Sequence, residues 1–146
     1  MTEKTWFSQL EWALIKYFAK VIGQRAVATG IVTAGAGALI FGAEGSTTLP
    51  GTSIRVPAPV FYGVSGAAGS AAADTLLVAG QGNSMLQDKT TRVIVGVGTA
   101  GVVGAYMMDG KSPAGPVENG VLCGLSYIAG EKVSQSVYGC PGLLMG

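Results

Sequence analysis

The chain has 146 residues, of which 12% are charged and 49% apolar, and its net charge is +1. That balance offers nothing to nucleic acid, whose phosphates demand clustered Lys and Arg. No histidine is present, which removes the commonest general base and the commonest metal ligand. The mean hydropathy is +0.46, and 24 glycines take the place of the Leu and Ile bulk that fills a water-soluble core.

Residues 4–22, KTWFSQLEWALIKYFAKVI, predict an amphipathic helix. At 100° per residue, Trp6, Leu10, Ala13, Leu14, Tyr17, Phe18 and Val21 share one face, and Lys4, Ser8, Gln9, Glu11, Lys16 and Lys20 lie opposite. Aromatics facing lysines suit the headgroup boundary of a bilayer, where Trp6, Leu10, Trp12, Tyr17 and Phe18 would anchor it. A partner protein would satisfy the same pattern. Glu11, Lys16 and Lys20 interrupt the apolar core that a cleaved signal peptide needs.

Ala26–Ala43 carries no charge, and Ala26, Gly30, Ala34, Ala38 and Gly42 recur four apart. On a helix this spacing makes a smooth stripe along which another backbone can approach closely. Residues 59–80 repeat it with Gly63, Ala67 and Ala71, beside a parallel stripe of Gly66 and Ser70 that ends at Asp74. Gln81–Thr91 is a polar link. Val93–Met108 is again uncharged, with Gly96, Ala100 and Gly104 four apart, and residues 116–138 contain Gly120 and Gly124 in a more polar setting.

Gly96, Gly98 and Gly101 also meet the G-x-G-x-x-G spacing of a dinucleotide turn. That motif requires a strand before it, a long helix after it and, about twenty residues on, an acid for the ribose. Here the apolar run reaches Asp109-Gly110 almost at once, and Glu118 follows no strand. The glycines therefore belong to the helix-packing pattern, and no cofactor is expected. In water each would cost a helix about 1 kcal/mol relative to alanine, whereas in lipid small residues permit tight helix contacts. The two cysteines, Cys123 and Cys140, have neither metal nor redox spacing; with Cys123 in a helix reaching Tyr138 they lie roughly 25 Å apart, too far for a disulfide.

Two halves of the chain line up. Thr33-Ala34-Gly35 precedes Glu44-Gly45 much as Thr99-Ala100-Gly101 precedes Asp109-Gly110. Gly63-Val64 and Gly120-Val121 each follow a Pro-Ala segment, and Asp74 and Glu131 lie at equal distances beyond them. Arg25 and Arg92 stand before the two first helices. The expected architecture is therefore all-α: a four-helix integral membrane bundle of two repeated hairpins (about 25–80 and 92–138), preceded by an interfacial helix. In domain terms this is residues 1–23 followed by 24–146, with spans near 25–43, 59–80, 92–108 and 116–138. Lys4, Lys16, Lys20, Arg25, Lys89, Arg92 and Lys132 fall on one side and Arg55 and Lys111 on the other, which puts both termini on the cytoplasm-equivalent side.

Asp74 and Glu131 are the candidate functional groups, since a carboxylate within a span costs roughly 3 kcal/mol to insert and often marks an ion path. Arg25 and Arg92 share their depth, so cross-helix ion pairs explain the acids as well as a pore does. Four short Gly/Ala-rich spans also look like mitochondrial inner-membrane translocase subunits. That family follows an Arg with an Asp four residues on, and no Arg here does so. In its spans, short loops and lack of a catalytic kit, the whole chain resembles the small hydrophobic minor capsid and membrane proteins of large icosahedral double-stranded DNA viruses. The resemblance implies a structural role in an internal virion membrane beneath the shell, with lipid and other membrane or capsid subunits as partners. The expected function is a non-enzymatic multi-pass membrane protein that anchors a larger assembly and itself forms part of an oligomer. The competing expectation is a small ion channel or transporter built on Asp74 and Glu131.

Overall fold

The computed structural model describes residues 2–49, 51–80 and 88–139, with side chains from residue 15 onward. Four helices dominate it: α1 (Thr2–Phe41), α2 (Ala58–Ala79), α3 (Lys89–Met108) and α4 (Pro116–Tyr138). Each is bounded by local chemistry. Gly42 ends α1 with φ 98°, a left-handed value that a side chain would resist, while its N–H closes the last turn onto Ala38 O. Pro59 opens α2 and Pro116 opens α4, in first-turn positions where a missing N–H costs nothing. The Asp88 side chain caps α3 by accepting from the Thr91 N–H, and Gly139 closes α4 in the left-handed conformation.

The helices form an antiparallel ring, α1 on α2, α2 on α3, α3 on α4 and α4 back on α1. Small residues set the spacing. A Cβ on Gly30 would stand 2.9 Å from Gly63 O, one on Gly69 2.5 Å from Ala100 O, and one on Gly101 2.9 Å from Gly120 O. Backbones meet at these crossings as they do in small-residue helix pairs of membranes. Between α1 and α2 lies a feature that an all-α reading omits. Residues β1 (Ser46–Thr48) and β2 (Arg55–Pro57) pair antiparallel, with Thr47 opposite Val56. The β-branched residues Thr47, Thr48 and Val56 favour that pairing, and Lys111 ties the α3–α4 loop to it through a 2.9 Å hydrogen bond to Thr48 O.

One further expectation changes. An interfacial helix ending near residue 22 and a span beginning at 25 are one uninterrupted helix, because no proline falls between them and Gly23 alone does not break the hydrogen-bond ladder. Among the described residues, two of the helices are long and apolar enough to cross a membrane by composition: α1 over Ile15–Phe41 and α3. Asp74 and several hydroxyls dilute α2, and Glu118, Glu131 and Lys132 dilute α4.

Candidate functional site

Charged and hydroxyl groups are buried between the helices. Arg25 on α1, Asp74 on α2 and Glu131 on α4 are at most 1% exposed. The planar guanidinium divides its donors among three partners. Nε donates to Asp74 Oδ2 at 2.8 Å, Nη1 to Glu131 Oε1 at 3.2 Å, and Nη2 to the Tyr127 hydroxyl at 3.5 Å. The Tyr127 hydroxyl in turn donates to Asp74 Oδ1, and its ring lies 5.6 Å from the Arg25 guanidinium carbon. Local sequence produces the convergence: Tyr127 and Glu131 are four apart on α4 and so share a face.

Beyond this cluster Thr33 and Ser65 return their hydroxyls to their own helices, whereas the buried Thr29 and Ser70 hydroxyls find no partner among the described residues. Thr33 donates to Thr29 O at 2.7 Å and Ser65 to Phe61 O at 2.9 Å, which lets polar side chains sit in a dry interior. Toward the end that carries the hairpin, Phe61, Tyr62, Met108, Leu122 and Cys123 close the bundle with an apolar plug.

The outside has the opposite character. Ile31 is 65% exposed, Leu39 88% and Val102 70%, and Ile40, Ile94, Val117 and Leu125 are exposed with them. Together these features define a four-helix bundle with an ion-paired polar interior and an aliphatic exterior. Comparison with known proteins finds no matching family model, no similar curated protein and no similar solved structure.

The residues singled out from the sequence fall in several places. Arg25 joins both acids, while Arg92 lies half-buried near the start of α3. Gly30, Ala34, Gly63 and Ala67 interlock at the α1–α2 crossing, and Gly104, Gly120 and Gly124 lie against neighbouring helices. Gly96 and Ala100 are buried, and Ala26, Ala38 and Ala71 are half-buried. Gly42 is a correction: it lies past the end of α1, with nothing within 4 Å of a Cβ built on it, and serves the turn instead. Tyr17 is exposed, Phe18 is half-buried, and the two rings meet edge to face at 5.7 Å. Trp6, Leu10 and Trp12 lie on the α1 backbone, but their side chains fall outside the described residues. Gln81–Gln87 of the polar link and the tail from Cys140 onward also fall outside them.

Sequence reasoning missed Tyr127, whose signal was its spacing of four from Glu131. Gly69, Gly101 and Gly130, which stand off the four-apart stripes, are close-approach residues as well.

Proposed function

We propose that this chain is a structural integral membrane protein, inserted through its four helices and holding a larger assembly to its bilayer. The observation that carries this reading is the distribution of polarity: arginine, carboxylates and hydroxyls are buried alongside the apolar clusters inside, while Ile, Leu and Val crowd the outside. Water would favour the reverse arrangement, whereas lipid rewards it, because polar groups must find partners within the protein and the aliphatic surface faces acyl chains. Two helices of spanning length and composition support the same reading. The Arg25 cluster then acts as a lock that sets the register of α1, α2 and α4. Removing one partner from such a buried group costs far more than the group contributes net.

The apolar plug at the hairpin end and the closure of both acids onto Arg25 favour a packing role over ion conduction. In the viral proteins that the chain resembles, the corresponding role is to fasten a capsid shell to the membrane beneath it. The test has two arms. The protein should resist extraction by alkaline carbonate and require detergent, and proteoliposomes of wild type and Asp74→Asn should show the same background ion flux. Carbonate release would refute membrane integration, and a flux abolished by Asp74→Asn would refute the structural role in favour of a channel.

A further inference from the structure

The outer face of the α3–α4 hairpin carries an open groove of about 740 Å³. It lies where Gly101 and Gly120 draw the two backbones together, and Val102, Val121 and Leu125 are among its aliphatic lining. Gly98, the member of the G-x-G-x-x-G triplet that packs against nothing, also lines it. From Val97 to Tyr106 the groove follows α3 for roughly 14 Å at 1.5 Å per residue. That is close to half of a hydrocarbon core about 30 Å thick, the depth of one leaflet.

The groove is polar at one end alone. Apart from Tyr106 and Asp109, every residue lining it is apolar, and both of these stand at the end next to the α3–α4 loop. Asp109 is exposed, and among the described residues its carboxylate makes no hydrogen bond or ion pair. Lys111, two residues on, is engaged elsewhere, with its ammonium on Thr48 O at 2.9 Å and 5.9 Å from the centre of the Phe61 ring. An apolar trough one leaflet deep, with a carboxylate and an aromatic ring at its mouth, complements a chain-bearing ammonium. A quaternary or primary ammonium is attracted both to a carboxylate and to the face of a tyrosine ring.

We propose that this groove seats one acyl chain of a phospholipid whose headgroup ammonium is held by Asp109 and Tyr106; the proposal rests on the membrane reading above. The test uses the full chain reconstituted in vesicles of equal phosphatidylethanolamine and phosphatidylglycerol, solubilised in mild detergent and weighed intact by native mass spectrometry. Wild type should carry one phosphatidylethanolamine per chain, preferred over phosphatidylglycerol by about threefold to fivefold, the scale of one exposed charge contact. Asp109→Asn should erase that preference. Gly98→Leu, which adds its side chain into open space, should remove the lipid at unchanged helicity. Equal retention of both lipids by wild type, or full retention by Gly98→Leu, would overturn the assignment. A dimer mass abolished by Gly98→Leu would overturn it in favour of a second copy. Protein that carbonate strips from the vesicles refutes the membrane reading and this one together; protein that stays inserted without lipid refutes this one alone.

Discussion

Arg25 illustrates how one side chain can organise three helices. Its guanidinium has enough donors for two carboxylates and a phenol, which a lysine ammonium on a flexible stem would not match in geometry. Arg25→Met should therefore destabilise the bundle by about 3–5 kcal/mol, because it leaves two buried carboxylates without their cation. The triple variant Arg25→Met, Asp74→Asn, Glu131→Gln should recover much of that loss, as judged by thermal unfolding in detergent. Equal losses in both would mean that the cluster does not behave as a coupled unit. Glycines give a second contrast at this scale. A Cβ on Gly66 would come within 2.5 Å of Thr33 Cβ, whereas Gly35 has nothing within 4 Å. Gly66→Ala should lower stability by roughly 1–3 kcal/mol through overpacking, and Gly35→Ala should leave it unchanged or raise it by up to about 1 kcal/mol.

At the scale of elements, helix positions were legible in the sequence because uncharged runs bounded by Pro, Gly and Asp leave few alternatives. The expected segments 59–80, 92–108 and 116–138 nearly coincide with α2, α3 and α4. Stripe membership was less legible. A residue repeating every fourth position drifts around a helix, and α2 must serve two neighbours at once. It presents Gly63 and Ala67 to α1 but Gly69 to α3. Contacts of this kind predict that Ala100→Leu, at a fully buried position against Gly69, damages assembly by about 1–3 kcal/mol. Leu39→Ala, at a position 88% exposed, should do little. Normal assembly of the Ala100 variant would remove the close-packing argument. The antiparallel order also makes a topological prediction. With the native cysteines replaced, single cysteines at Ser46 in the hairpin and Ser136 near the end of α4 should label from opposite sides of the membrane. Labelling from one side would refute the span assignment.

For the whole molecule, the length of α1 bears on the attachment to a larger assembly proposed above. Forty residues make a helix of roughly 60 Å, about twice the hydrocarbon thickness of a bilayer. Arg25 packs opposite Asp74 and Glu131, which lie close to the ends of α2 and α4, so the N-terminal part of α1 runs on past the bundle. An arm with an aromatic face in its sequence is suited to bind a neighbouring subunit or the membrane surface. Changing Trp6 and Leu10 to Ser should release the protein from its native assembly, read by co-sedimentation, while the bundle stays inserted. Unchanged incorporation would place the attachment elsewhere on the molecule.

Composition and periodicity by themselves determined that the chain is helical and built for close backbone contact. These are properties of local spacing, and local spacing is read along the chain. Tertiary structure alone decided that both acids share Arg25, that Tyr127 completes the cluster, and that the triplet Gly96, Gly98 and Gly101 divides between the interior and an open groove. Each of those outcomes depends on the rotation of one helix about its axis relative to its neighbours. That angle is set by the sum of contacts around the ring, and no single segment of sequence contains it.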